Sequence, residues 1–365
     1  MPCICSPSEI QKSLSRWFKL NGRQLPWRET NDPYAIWLSE VILQQTRVDQ
    51  GMSYYLRFLD RYPDIFTLAA ADEEEVLHLW QGLGYYSRGR NLLKTARRVV
   101  EQFDGCMPRD YKQICSLPGI GAYTASAILS FAYNLPHACV DGNIYRVLSR
   151  LGAIDLPIDS TEGKKIFQEE ANALLDKENP GLHNQAIMEL GALVCTPRMP
   201  RCTECPVISC CAAYKLGIHA ELPVKRAKPE VKHRYLTFFF VRLLSPDGNR
   251  TLIHKRPGGD VWQGLYELPL VETDQAASED ELYRRVRELL PFAGNDALLT
   301  GPLFSLKHAL THQQLHILFY SLELSADQYT DDAEAAFKKI RIEELDQYPF
   351  PKPINLFFES DLYFL

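Results

Sequence analysis

Cys195, Cys202, Cys205 and Cys211 follow the pattern C-x6-C-x2-C-x5-C, and no other stretch constrains the fold of this chain as much. Unrelated buried cysteines have no reason to crowd together, so one small loop presents four thiolates to a single inorganic centre. Four cysteines are the usual ligand set of an iron-sulfur cluster. Zinc competes on spacing alone, although its common four-cysteine sites use two C-x2-C knuckles and only one C-x2-C is present. Cys210 lies beside Cys211, and spacing leaves open which of them is the fourth ligand.

The cysteines also divide the chain, because all ten precede residue 212. Charge divides with them: residues 1–229 carry 26 Lys and Arg against 25 Asp and Glu, and the remainder carries 14 against 21, a net of −7. The overall charge of −6 argues against a nucleic-acid binder only if charge is spread evenly; a local basic face is enough to hold a phosphate backbone. A chain of 365 residues is expected to form two or three domains. No apolar run approaches the ~18 residues that mark a membrane span. Met-Pro-Cys-Ile-Cys-Ser at the start has no charged region followed by an apolar one, so no signal peptide is expected. These features point to the cytosol, where cysteines are expected to stay out of disulfides.

Residues 8–215 read as helix after helix. Asp32-Pro33 supplies an N-cap and a first-turn proline, and Ile36, Trp37, Val41 and Ile42 follow near helical spacing. Further helices are expected over 73–80, 88–103, 123–132, 143–151, 164–176 and 185–194. Residues 222–232, basic and bracketed by prolines, read as a linker. Beyond it, 235–244, 251–255 and 315–324 read as strands, with a turn at Ser245-Pro-Asp-Gly-Asn and a helix over 279–290. The expected organisation is a mostly helical region over 1–221, including the cysteine loop 195–211, the linker, and an α+β domain over 233–365.

Between two of the helices lies Leu117-Pro-Gly-Ile-Gly-Ala-Tyr-Thr-Ala. Its two glycines permit a tight turn into a helix N-terminus, whose free N–H groups attract phosphate. A Gly-x-Gly turn by itself is as readily a plain connector. Glu40, beside Ser39 and Val41-Ile-Leu43, is a carboxyl whose burial would keep a proton for general acid catalysis. Asp141 precedes a helix and reads by itself as its cap; near a sugar, the same carboxylate would stabilise positive charge at C1′ or attack it.

This hairpin, an Asp-Gly-Asn about twenty residues later and the cysteine loop together resemble the endonuclease III superfamily of helix-hairpin-helix DNA glycosylases. The closer likeness is to its adenine DNA glycosylase (MutY) branch. It is carried by Leu25-Pro-Trp-Arg28, Trp37-Leu-Ser-Glu-Val-Ile-Leu-Gln-Gln-Thr46, Gly82-Leu-Gly-Tyr-Tyr86, Val140-Asp-Gly-Asn143 and Asn184-Gln-Ala-Ile-Met-Glu-Leu-Gly-Ala192. The resemblance implies two helical lobes holding duplex DNA with a flipped base, and a 4Fe-4S cluster with Cys211, not Cys210, as ligand. It implies Glu40 as the acid that protonates adenine N7 and Asp141 as the carboxylate facing the sugar cation, with Tyr123 and Asn143 supporting the sugar. Trp27, Arg28 and Glu189 would form the adenine pocket. Leu43, Gln44, Gln45, Thr46, Tyr85, Tyr86, Leu117, Gly119 and Gly121 would meet DNA, with Arg88, Arg90, Arg97, Arg98, Arg198 and Arg201 as candidates for phosphate contact. Relatives that also cleave the strand carry a lysine at the position of Tyr123, and tyrosine cannot form the imine, so a monofunctional glycosylase is expected. The expected partner is duplex DNA with adenine opposite 8-oxoguanine or guanine, bound by a monomer in the bacterial cytosol.

The carboxy-terminal domain resembles the Nudix-like lesion-recognition module of the same branch. Its Phe-Ser-His loop motif aligns with Leu310-Thr-His312, which keeps a hydroxyl but loses the aromatic ring; Thr311 and His312 are the expected lesion contacts, and Lys307-His308 is a second alignment. Arg284, Arg285, Arg287 and Glu288 stand where a working Nudix hydrolase needs consecutive glutamates, so recognition without nucleotide hydrolysis is expected. An endonuclease III-like enzyme acting on oxidised pyrimidines is the nearest rival, opposed by Tyr123 and the second domain. A non-catalytic cluster protein is opposed by Glu40 and Asp141 together.

Overall fold

Caps written into the sequence set most helix starts. The computed structural model describes residues 5–226, 231–246, 248–293, 298–325 and 336–360. α1 (Pro7–Asn21) begins at a capping box of Ser6 and Glu9. α2 (Pro33–Ile42) begins at Asp32, whose carboxylate accepts from the amides of Tyr34 and Ala35. Next come α3 (Val48–Arg61), α4 (Ile65–Ala70), α5 (Glu73–Leu79), α6 (Ser87–Phe103) and α7 (Tyr111–Cys115). They are followed by α8 (Ala122–Tyr133), α9 (Gly142–Leu151), α10 (Thr161–Leu174), α11 (Pro180–Leu193) and α12 (Ala212–Leu216).

Two compact units emerge: Met1–Ala71 with Asn91–Ala227, and Asp72–Arg90 with Lys228–Leu365. In the first, α11 packs on α1, α8 and α9, and α2 packs on α8. Ile10 and Leu14 of α1 meet Ile144, Val147 and Leu148 of α9, Phe167 of α10, and Ile187 and Leu190 of α11 in one core. Each such side chain contributes roughly 1.5–3 kcal/mol through its burial.

The second unit is built on seven strands among the described residues. They are β1 (Lys232–Leu244), β2 (Arg250–Lys255), β3 (Tyr266–Glu267), β4 (Leu270–Thr273), β5 (Leu298–Ala309), β6 (Gln313–Ser325) and β7 (Lys338–Arg341). The path runs β3-β2-β1-β6-β5, with β4 on β1 and β7 on β2. β1 and β6 pair in parallel from Lys232↔Gln313 to Leu244↔Ser325, and the other pairs are antiparallel. α13 (Glu279–Leu289) covers one sheet face through Leu282 and Val286, and α14 (Lys352–Glu359) covers the other through Ile354 and Phe357. Burial from both sides explains why β1 reads as a continuous apolar run rather than an alternating one.

The mostly helical first part and the α+β second part agree with the sequence patterning. Three details differ from it. Asp72–Arg90, expected in the helical region, belongs to the second unit: Glu74 accepts from Lys255 and Tyr266, and His78 meets the carbonyl of Asp346. The start of the expected linker is fixed rather than free, because Leu222 is buried and the Val224 carbonyl accepts from Ile158 N–H; residues 227–230 of it, like Asp247 of the expected turn, lie outside the described residues. Finally, Cys5 and Cys210 form a disulfide, against the expectation that no cysteine would pair. Cys210 is buried in the first unit's core and Cys5 packs against that core, which brings the two together.

Candidate active site and cysteine loop

A cleft of 1000 Å³ opens in the first unit. Among its lining residues are Trp27, Arg28, Glu40, Leu43, Gln44, Gln45, Thr46, Gly119, Gly121, Tyr123, Asp141, Asn143 and Glu189. Thus the expected catalytic and adenine-pocket residues, from Trp27 to Glu189, share one space with six of the expected DNA contacts.

α2 is buried along nearly its whole length and carries Glu40 into the cleft wall, 7% exposed. Burial pushes its carboxyl up to about 7; the hydrogen bond from Tyr123 opposes this, the charge of Asp141 adds to it, and Arg28 opposes it. Asp141 has the contrasting environment. Its Oδ1 accepts from the amides of Asn143 and Ile144 at 3.0 and 2.8 Å, and its Oδ2 accepts from Asn143 Nδ2 at 2.7 Å. Burial, the largest influence, leaves its pKa raised on balance, and these donors and Arg146 oppose the rise. Three donors suit a carboxylate, which only accepts. Asp141 is therefore the cap of α9 and a carboxyl lining the cleft at once.

Sequence reasoning missed Arg146, which fixes Asn143. Its guanidinium donates to Asn143 Oδ1 at 2.8 Å, to the carbonyls of Gly191 at 2.7 Å and Gly142 at 3.2 Å, and to the Cys195 carbonyl at 2.6 Å. Arginine only donates, so the Asn143 oxygen faces Arg146 and its amide nitrogen faces Asp141. The only sequence signal was the helical i, i+3 spacing of Asn143 and Arg146. Arg23 was missed as well. Its guanidinium grips Glu189 through both carboxylate oxygens at 2.8 Å, while Arg28 adds a third contact at 2.8 Å. Burial pushes Glu189 up, yet the bonds from Arg23 and Arg28 outweigh it and bring the carboxyl down to about 2.

Trp27 is buried edge-on against Tyr55. Gln44 donates to Thr124 at 3.2 Å, and Gln45 is exposed at a φ of 58°. In the hairpin, Gly119 has a φ of 75° and packs on Asn91 so closely that a Cβ would lie 2.8 Å from that side chain's Cβ. Gly121 opens α8 with no side-chain cap, leaving its first amides for a ligand. Leu117 is 2% exposed and holds the turn from inside, so its side chain is not a DNA contact.

The remaining candidates lie in the second unit. Tyr85, Tyr86, Thr311 and His312 line a 590 Å³ pocket with Trp262 and His308, and the Tyr85 hydroxyl stands 3.0 Å from that of Thr311. Tyr86 is buried, whereas Tyr85 is 52% exposed, so only Tyr85 offers a ring to a partner. Arg88 is also buried, over the Trp80 ring and bonded to the carbonyls of Leu83 and Gly84, which removes it from the phosphate-contact candidates. Arg97 and Arg98 donate to main-chain carbonyls, as does Arg201 to that of Leu193.

Cys195, Cys202, Cys205 and Cys211 are all unpaired and half-buried. Burial raises the thiols of Cys202, Cys205 and Cys211, and their neighbours among the same four raise them further. Arg150, itself buried, donates to Cys195 Sγ at 3.2 Å, and Cys211 Sγ donates to the Arg150 carbonyl at 3.3 Å. Among the described residues no group of three or more His, Cys, Asp or Glu is arranged to hold a metal ion. Four free thiols in one loop, an arginine beside two of them and the engagement of Cys210 in a disulfide fit the four-cysteine donor set of an iron-sulfur cluster.

Helices around such a hairpin and cleft define a class. Residues 38–173 match the HhH-GPD superfamily of base excision DNA repair proteins, and residues 240–360 match the NUDIX domain. Within that class, the chain belongs to the adenine DNA glycosylases. The adenine DNA glycosylase of Buchnera aphidicola subsp. Schizaphis graminum is 30% identical over 94% of this chain and 96% of its own length. That of Mus musculus is 43% identical over 63% of this chain and 46% of its own length, so the chain spans about half of that relative. Among solved structures, a thermostable thymine-DNA glycosylase matches 57% of this chain and 97% of its own with a TM-score of 0.52 at 26% identity. An endonuclease III trapped on DNA shares the fold, with a TM-score of 0.50 at 22% identity over 59% of this chain and all of that one. No helix among the described residues is long and apolar enough to cross a membrane.

Proposed function

We propose that this chain is a monofunctional adenine DNA N-glycosylase that removes adenine opposite 8-oxoguanine, and less readily opposite guanine, acting as a monomer in the bacterial cytosol. One observation carries the reading: a buried carboxyl with a pKa of about 7 at Glu40 shares a cleft with a carboxylate, Asp141, held by three donors. Two carboxyls in such different surroundings, one with few donors and one with three, would supply an acid and an anion from like groups. Duplex DNA would deliver the flipped adenine to the cleft, against Trp27, Arg28 and Glu189. Glu40 gives its proton to N7. The N9–C1′ bond then breaks, its electron pair leaves with the base, and the Asp141 charge faces the sugar cation. Water adds at C1′ and its proton passes to the Glu40 carboxylate. Tyr123 and Asn143 steady these two groups, and with no amine at position 123 the strand stays intact.

Cys195, Cys202, Cys205 and Cys211 would hold a 4Fe-4S cluster. When bound, it ties the loop carrying Arg198 and Arg201 into a shape that meets phosphate; the base-release steps belong to the cleft. Cys202→Ser should lose the cluster's visible absorption, lower the melting temperature and weaken duplex binding. Cys210→Ser should keep the absorption, and its loss there would exchange the two neighbours' roles. In the second unit, Tyr85 and Thr311 would meet the 8-oxoguanine side. Thr311→Val removes one hydrogen-bonding hydroxyl, worth about 1 kcal/mol, so the preference for 8-oxoguanine over guanine should fall roughly fivefold.

Single-turnover release of adenine from an A:8-oxoguanine duplex, with A:T and thymine-glycol duplexes alongside, tests the reading. Adenine loss confined to the mispair, with strand breaks only after alkali, is expected. Cleavage at thymine glycol without alkali would move the chain to endonuclease III chemistry.

A further inference from the structure

Asp141 owes its place to a short segment between α8 and α9, and α11 holds both that segment and the first turn of α9 that follows it. Near the start of α11, Asn184 is 1% exposed. Its Oδ1 accepts from the Cys139 amide at 3.2 Å, and its Nδ2 donates to the His137 carbonyl at 2.8 Å and to Ser130 Oγ at 2.9 Å. Both the donor and the acceptor end of one amide are thus used on the main chain just before Asp141, and the third bond ties the same amide to α8. Two helical turns further on, Gly191 lies against Asn143: a Cβ there would come within 2.6 Å of Asn143 Cβ and 3.0 Å of its carbonyl. The Gly191 carbonyl accepts from Arg146, which orients Asn143. Asn184 and Gly191 lie seven residues apart, on one face of the helix.

We propose that Asn184 is a positioning residue, whose amide sets the main chain before Asp141 so that this carboxylate stands correctly against Glu40 and Tyr123, with Gly191 fixing the first turn of α9 just after it. Asn184 touches neither substrate nor reacting atoms. It acts on the separation of two carboxyl groups, and an error of about 1 Å in such a separation costs up to ~100-fold in rate. Without the Asn184 amide, the Cys139 N–H and the His137 carbonyl lose partners in the protein interior, and the segment shifts to satisfy them. The proposal rests on the roles given above to Glu40 and Asp141.

The separation has its own signature. The groups acting on the Glu40 carboxyl are Tyr123, Asp141 and Arg28, and the Asp141 charge raises it. Moving Asp141 away therefore lets Glu40 ionise at lower pH, and the alkaline limb of the rate profile moves to lower pH. A loss of general stability alone does not move that limb.

Asn184→Ala should be compared with the full chain, cluster in place, for single-turnover adenine release across pH, affinity for the mispaired duplex and melting temperature. The expected result is a rate lower by about tenfold or more, unchanged duplex affinity and an alkaline limb displaced to lower pH. Should Asn184→Ala not fold, Gly191→Ala provides the same readings with Asp141 displaced from its other side, through the first turn of α9, and the same pattern is expected. A folded variant with a rate close to that of the parent, or with a slower rate but an unmoved limb, overturns the proposal. Asp141→Asn run alongside separates the two ideas: full activity in that variant sinks the role of Asp141 itself, and the proposal with it.

Discussion

Glu40→Gln should bind a mispaired duplex as the parent does and release adenine about a thousandfold more slowly, the middle of the range for losing a positioned general acid. Glutamine keeps the shape and polarity of the side chain but has no proton to transfer to the base. The parent's rate should fall as pH rises through about 7, where the Glu40 proton is lost; the residual rate of the variant should not follow that limb. Stability should move the other way. Below pH 4.5 folded and unfolded chains both carry the proton and Glu40 costs nothing. Between 4.5 and about 7 the unfolded chain ionises while the folded chain does not, so the parent loses stability as pH rises. Above about 7 the full cost stands, on the order of 3 kcal/mol for a shift of this size. Glu40→Gln lacks this cost, so its melting temperature should draw ahead of the parent's across that window and then keep a constant lead. Equal melting curves at pH 8, or a release rate within tenfold of the parent's, would mean that Glu40 is not the buried acid.

Much of this site was legible because local signals coincided with functional ones. Asp32-Pro33 announced the helix that carries Glu40, and the cysteine spacing announced the loop. What the sequence could not show was company. Nothing near position 40 reveals that Tyr123 and Asp141 stand beside Glu40, where they adjust the proton affinity that burial raises. The resemblance supplied that pairing; spacing alone read Asp141 as a helix cap, which it also is. Arg146 and Asn184 left almost no trace, because most of their partners are main-chain atoms that any residue supplies.

The same limit appears in the fold. β5 was not legible: among the described residues it pairs only with β6, and its register shifts between Thr300 and Phe304, around Gly301-Pro302. Edge strands tolerate such residues, which look like loop in sequence. The basic, proline-bracketed stretch after Leu222 looked free because composition does not show that Leu222 is buried. Tyr85 and Tyr86 are chemically alike, and the main chain separates them, turning one outwards and the other in.

Asp141→Asn tests whether a capping group also does chemistry. Asparagine caps helices about as well as aspartate, so α9 should remain: the new amide oxygen still accepts from the amides of Asn143 and Ile144. The third bond cannot survive as it stands, because an amide nitrogen at position 141 would face the amide nitrogen of Asn143. Asn143 would have to turn over, and Arg146 would then lose its acceptor at Oδ1. One disrupted buried bond costs about 1–3 kcal/mol, a modest fall in melting temperature. The loss in rate should be larger. A charge placed where the sugar becomes cationic acts in a site with little water, and removing one such electrostatic group costs about a hundredfold to a thousandfold. Duplex affinity should hold or improve, since a negative charge leaves a cleft that receives a polyanion. The measurement is single-turnover release set against melting temperature and duplex affinity for the same preparation. Release within about threefold of the parent, in a variant that melts a little lower, would leave Asp141 as a cap alone.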